Sequence, residues 1–308
     1  MVVGLYHISS FTNNSKIQAY TMRSIFLKAA LLAVLALGIF TQIQAQEFHK
    51  EKKHKHSFHL SDEGNSVGKK GELYLSWGYN KEWYLPSNIH IYQPKLGNDY
   101  TLYNTLASDH PGWNEGLFNR ALTIPQYNYR LGYFFKDNWA IEANFDHTKF
   151  VVADNQLLHA KGMMNGVPVD TFINNRSGFM KYQLNNGANF LLINLVHRKH
   201  LTSFNKSWFD AALLVKGGAG IVIPHVQNVI DGHANKKGFQ FGGFDMGFEA
   251  GIRATFFKYA YLEFTDKILA AQYYNLRLYE GRAKQFIATD EMILSIGASI
   301  PLIKEHKK

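Results

Sequence analysis

From residue 71 onward, apolar and polar side chains alternate with a period of two. In GELYLSWGYNKEWY, Leu73, Leu75, Trp77 and Tyr79 share one face, and Tyr74, Ser76, Gly78 and Asn80 share the other. That is the pattern of a strand with different surroundings on its two faces. Residues 127–151 do the same twice, around the polar turn Lys136-Asp137-Asn138. Before the turn, Tyr127, Tyr129, Leu131 and Tyr133 oppose Asn128, Arg130 and Gly132; after it, Trp139, Ile141, Ala143 and Phe145 oppose Glu142, Asn144, Asp146 and Thr148. Continued along the chain, the pattern predicts eight strands: about 71–84, 121–135, 138–152, 187–200, 207–223, 239–257, 259–272 and 287–302.

The connections alternate as well. Three are short (136–137, 201–206 and around Lys258), and four are long (85–120, 153–186, 224–238 and 273–286). Short and long connections sorted to opposite ends predict an all-β chain: an eight-stranded antiparallel up-and-down transmembrane barrel with short periplasmic turns and long outer loops. Several strands exceed the roughly 9–11 residues that a tilted strand needs to cross a bilayer. Aromatics gather at strand ends: Phe134, Phe135, Trp139, Trp208, Phe209, Phe256, Phe257, Tyr259 and Tyr261 near the short turns, Trp83, Tyr84, Tyr273 and Tyr274 at the other end. Such clusters suit the two interfacial girdles of a membrane barrel.

The apolar faces are then expected to meet lipid. The opposite faces carry Arg130, Arg198, Lys216, Arg253 and Lys267 with Glu142, Asp146, Asp245, Glu249, Glu263 and Glu291. Charge in hydrocarbon is costly, so these side chains should point inward and pair. Eight strands enclose only a side-chain-filled interior, which predicts a closed, charge-filled lumen. On the sixth strand Gly243, Gly247 and Gly251 alternate with Asp245, Glu249 and Arg253, leaving room for long neighbours and easing the curvature of a small barrel.

The N-terminal region differs in character. Arg23 and Lys28 precede the apolar run 29–40, and Ile43-Gln44-Ala45 leads into Gln46. A basic start, a short apolar run and a small-residue exit describe a cleaved signal peptide; the run falls short of the ~20 residues of a membrane-spanning helix. Residues 1–21 read as an extension upstream of the true start at Met22. Residues 46–70 are polar and aperiodic, a flexible leader in which His49, His54, His56 and His59 are weak metal-ligand candidates, His54 and His56 the nearest pair. Their spacing matches no metal-site pattern. Residues 304–308 form a basic tail.

Charge changes the picture little. The whole chain is +9, with 33 basic and 24 acidic residues; three of the basic ones precede residue 46. Most of the remaining excess lies in the leader and tail, so the body offers no basic face for nucleic acid. Cysteine is absent, which excludes disulfides, thiolate chemistry and a cysteine-linked lipid anchor. No cofactor is implied.

Together the signal, strand number, loop asymmetry and aromatic clusters of 71–303 resemble the small outer-membrane barrels typified by the membrane domain of outer membrane protein A. That resemblance implies the outer membrane of a two-membrane bacterium, a structural or surface role, outer-membrane lipid as partner, and loops able to meet an extracellular ligand or protein. It implies no oligomeric state. One departure is the ending, Ser299-Ile300-Pro301-Leu302 and then lysines, where such barrels often close on an aromatic residue. Two lipid A acyl-modifying enzymes share this barrel size and use a histidine with a serine. An acyl-transfer reading therefore stands as the alternative, with His110 (in Ser108-Asp109-His110) and His147 (beside Thr148) as weak catalytic candidates. Intact-mass analysis of the exported protein is expected to place its first residue at Gln46; a product that begins at Met22 would contradict the signal-peptide reading.

Overall fold

The computed structural model describes Lys28 and residues 67–109, 126–175, 178–184, 186–201 and 208–302. The expected signal segment apart from Lys28, the four leader histidines, His110 and the basic tail lie outside the described residues.

The strands follow in chain order. The first nine are β1 (Glu72–Tyr84), β2 (Ser87–Gln93), β3 (Asn98–Thr105), β4 (Ala107–Ser108), β5 (Tyr127–Lys136), β6 (Trp139–His147), β7 (Phe150–Val152), β8 (Leu157–Met164) and β9 (Val167–Asn174). Then come β10 (Met180–Leu184), β11 (Phe190–His200), β12 (Phe209–Val222), β13 (His225–Ile230), β14 (His233–Ala234), β15 (Gly238–Phe239), β16 (Gly243–Phe256), β17 (Ala260–Leu278) and β18 (Gly281–Pro301). Every pairing is antiparallel.

The long strands pair in the order β1-β5-β6-β11-β12-β16-β17-β18, and β18 pairs again with β1, from Glu72↔Pro301 to Tyr84↔Thr289. The ladder therefore returns to its start. Its register follows the alternation of the sequence. Leu75, Trp77, Tyr129, Leu131, Ile141, Ile193, Leu195, Ile252, Phe264, Leu294 and Ile296 are all exposed outside, while Arg130, Glu142, Lys216 and Glu249 are buried inside. The ladder thus has an apolar outer face and a charged inner one.

The connections predicted as long outer loops contain much regular structure. Beyond β18 the same sheet continues through β2, β3, β8 and β9, making twelve strands in all, and a second sheet runs β14-β13-β10-β7-β4 with β15 on β13. The reason is local: Ser87–Gln93 has the burial pattern of alternating strand residues, with Ile89 and Ile91 fully buried.

The interior has three tiers. At the short-turn end Tyr74, Phe134, Ala140, Val196, Leu214 and Tyr261 form a small apolar cluster. The charged side chains come next. Above them Leu192, Val222, Leu269, Tyr273 and Ile287 of the ladder join Phe150, Met180, Tyr182 and Val226 of the second sheet in the main apolar core. The lumen is thus charged from its middle to the short-turn end, around the small apolar cluster, and covered by hydrocarbon only at the other end. The same alternation corrects four girdle residues: Phe134, Tyr261, Tyr84 and Tyr273 point inward and are buried, whereas Phe135, Trp208, Phe257, Tyr259 and Tyr274 are exposed.

Gly132 is the seat of this lower tier. A Cβ at this position would fall inside the Tyr74 ring, whose hydroxyl donates to Glu142 at 2.8 Å. Gly132→Val displaces the ring and breaks that hydrogen bond. It is expected to destabilise the folded protein by about 1–3 kcal/mol, seen as a lower urea midpoint in detergent micelles. An unchanged midpoint would mean the ring needs no such seat.

Candidate functional site

The charged tier is built from inward positions of neighbouring strands, so its partners are fixed by register. Lys216 on β12 stands opposite Glu249 on β16, which stands opposite Lys267 on β17, which stands opposite Glu291 on β18. Opposite charges facing each other across strands stabilise the pairing. Lys216 Nζ lies 2.6 Å from Glu263, 3.0 Å from Glu249 and 3.2 Å from Glu142. Its side chain is fully buried.

Around this ammonium the network spreads in two directions. Toward the short turns, Arg253 reaches Glu263 at 2.6 Å. The guanidinium carbon sits 4.4 Å from the centre of the Tyr74 ring and 4.1 Å from that of Tyr261, a cation held by two aromatic rings. Lower still, Arg198 pairs with Asp210, which also accepts from His200 at 2.8 Å. Toward the other end, Arg130 pairs with Asp146 at 2.5 Å and approaches Glu142 and Glu249 at 3.7 Å. Lys267 pairs with Asp146 and lies 3.6 Å from Glu291. Asn80 links Glu291 to Glu82 at 2.6 and 2.8 Å, and Gln126 donates to Glu82 at 2.7 Å.

Of the residues predicted to line the lumen, Asp245 stands apart: it is buried and forms no ion pair among the described residues, its carboxylate lying by the backbone N–H groups of Leu191 and of Asp245 itself. Glu72, Glu82 and Asp210 are buried additions to the predicted set. The signal for the first two was present: they continue the Tyr74–Asn80 face of β1 by parity. Parity also places Asp266 and Asp290 outside, on the faces of Leu262 and Leu294, where Lys28 lies 2.8 Å from Asp290 and 3.6 Å from Asp266.

Outside the barrel wall, the Lys70 backbone N–H, at 2.9 Å, and the Lys69 ammonium hold the Asp137 carboxyl below the usual carboxylate range. This ties the entry to β1 onto the β5–β6 turn.

The catalytic candidates divide. His110 lies outside the described residues, while its neighbour Asp109 lies 3.2 Å from Lys81. His147 ends β6, buried, with Nδ1 2.8 Å from the Asn189 amide oxygen and its ring stacked on Tyr127 at 4.6 Å. The Thr148 hydroxyl faces Tyr84 Oη at 3.5 Å. Among the described residues no group of three or more histidine or acidic side chains is arranged to hold a metal ion.

No protein-family model matches the chain, and no curated protein matches it. Solved structures similar to it include the N-terminal barrel domain of Pseudomonas aeruginosa OprF, with 10% identity, TM-score 0.31, and 75% of this chain and 98% of that one covered. Ail of Yersinia pestis shares 12% identity with TM-score 0.30, covering 75% and 99%. Neisserial surface protein A shares 7% identity with TM-score 0.31, covering 75% and 97%.

Lys216 is the most consequential charge. Lys216→Met removes the cation that three buried carboxylates share and leaves the network with an excess of negative charge, and a loss of about 3–5 kcal/mol is expected. Adding Glu249→Gln should recover part of it. Urea titrations of the folded protein in micelles check both; a fully tolerated Lys216→Met would mean water reaches the network.

Proposed function

We propose that the chain is an eight-stranded, closed outer-membrane barrel of a two-membrane bacterium, with a structural or surface-interaction role and no open pore. One observation carries the reading: the two faces of the β1–β18 ladder have opposite solvents. The outward face presents bare Leu, Ile, Phe, Trp and Tyr on neighbouring strands, with Met246, Ile193 and Leu294 each more than half exposed. A patch of this extent is far larger than soluble monomers carry, and lipid is the surrounding that suits it.

The pairing of β18 with β1 supports closure, which leaves no unpaired edge within the bilayer. Exposed Trp208, Phe257 and Tyr259 at the short-turn end and Tyr274 at the other support two interfacial rings. Burial of Arg130, Lys216 and Lys267 to 3% or less supports a lumen that passes no solute. The outer sheets, continuous with the wall, supply a surface outside the cell on which an extracellular ligand or protein could be met.

Cell fractionation and gel mobility test the reading together. The protein is expected in the outer-membrane fraction, compact on a gel when unheated and slower after boiling. In planar bilayers it should give no conductance steps. Lipid A should be unchanged in mass when the whole protein is deleted; an altered lipid A would favour the acyl-transfer alternative. Recovery in the soluble periplasmic fraction would mean that lipid does not cover the apolar face.

A further inference from the structure

Where the wall leaves the apolar band, the β17–β18 hairpin changes character. Its register shifts between Tyr273 and Leu276, a bulge at Tyr274 and Asn275. Before the bulge the inward residues are Lys267, Leu269, Ala271 and Tyr273; after it they are Leu276 and Leu278. Without the extra residue Arg277 would point into the apolar core. With it, Arg277 is turned outward, directly opposite Arg282. A bulge that re-aims a side chain is a recurrent device at sites of function.

Two guanidiniums face to face across a ladder repel each other. Lys284 is next on the same face, and β2 sets Tyr92 beside Arg282 and His90 beside Lys284. Two acids also line the groove between β2 and this hairpin, Asp99 and Glu280, and both already have a partner: Asp99 lies 2.9 Å from His90 and Glu280 lies 2.6 Å from Lys95. Among the described residues neither Arg282 nor Lys284 forms an ion pair, and Arg277 has only the Lys236 carbonyl, at 3.5 Å.

The site is also shaped. A groove of about 870 Å³ runs between β2 and the hairpin, past His90, Tyr92, Arg282 and Lys284. A smaller recess of about 320 Å³ adjoins it over Arg277, Arg282 and Gln240. Gln240 fixes the bulge from the side: its amide donates to the Asn275 carbonyl at 2.9 Å and accepts from the Arg277 N–H at 3.0 Å. The cations are thus held together by a braced backbone.

Height above the membrane identifies the anion. Phe286 and Tyr274 are exposed aromatics at the top of the apolar band. Lys284 and Arg282 follow Phe286 at two and four residues, about 7 and 14 Å along the strand, or roughly 5 and 10 Å in height at a tilt of about 45°. Lipid headgroups occupy roughly the first 5–8 Å beyond the hydrocarbon. Lys284 therefore stands at headgroup level, and Arg282 and Arg277 stand just above it, on stems long enough to reach down. We propose that Arg277, Arg282 and Lys284, flanked by Tyr92 and His90, bind the phosphate of an outer-leaflet lipid headgroup. Arginine forks suit phosphate oxygens bidentately. The assignment rests on the membrane reading above.

The test uses full-length mature protein reconstituted in phosphatidylcholine vesicles doped with diphosphorylated lipid A, then extracted gently for native mass spectrometry. Wild type is expected to retain lipid A over its dephosphorylated form by tenfold or more. The triple variant Arg277→Ala, Arg282→Ala, Lys284→Ala should lose that preference, and Lys161→Ala, outside the groove, should keep it. Single Lys284→Gln, expected to weaken retention several-fold, serves if the triple variant does not show the heat-modifiable mobility of a folded barrel. Equal retention by wild type and a folded variant overturns the site. Displacement of the lipid by equimolar inorganic pyrophosphate would show a site for soluble phosphates and overturn the lipid assignment. Failure of wild type to enter vesicles would overturn the membrane reading and the site with it.

Discussion

The structure turns on the neutralisation of one buried ammonium. Lys216 touches three carboxylates from three strands, and each of these also approaches a second cation or a tyrosine hydroxyl. A slip of any strand by one residue would send its charges to the outer face and its leucines inside. In hydrocarbon both errors are costly. Register is therefore specified twice, by the apolar outer face and by the ion pairs inside. The apolar exterior favours the membrane, and the charged interior makes one alignment far better than its neighbours.

Much of this was legible in residue order. Alternation in residues 71–84 and 127–151 located the wall and assigned its faces. The parity that placed Lys216, Glu249 and Lys267 inside needed no structure. What escaped was of two kinds. Ser87–Gln93, Leu157–Met164 and Val167–Asn174 alternate over too few residues to stand out against neighbouring turns, so the extension of the sheet beyond the band was read as loop. Inward Leu192, Leu269 and Ile287 follow the right parity, but an apolar residue on both faces carries no orientation signal; the apolar cap emerges only when the second sheet covers it. The bulge at Tyr274 and Asn275 is hidden for a related reason: it reverses parity partway along an otherwise regular strand.

The exterior is also less uniform than its alternation implies. Asp266 and Asp290 face the apolar side on adjacent strands, and Lys28 of the expected signal segment lies against both in the uncleaved chain. Lys81, on the next strand and the same face, turns to Asp109. Polar positions on the outer wall are thus grouped in one sector, around Trp83, whose ring also lies near the two lysines. On β16 the outward side chains are all apolar or small, and on β11 they are apolar until His197 and Lys199 near the short-turn end.

The return of β18 to β1 has a consequence for how such a chain comes to exist. The first strand finds its second neighbour only in the last one, so during synthesis β1 has one free edge until nearly every residue has been made. Contacts this distant in sequence form slowly, and an unpaired strand edge with bare apolar side chains is prone to mispair. Asn80 cannot bridge Glu82 to Glu291 until that seam is shut. Pairing of β18 with β1 and quenching of the inner charge are therefore one event, which favours a cell that shelters the open ribbon in transit.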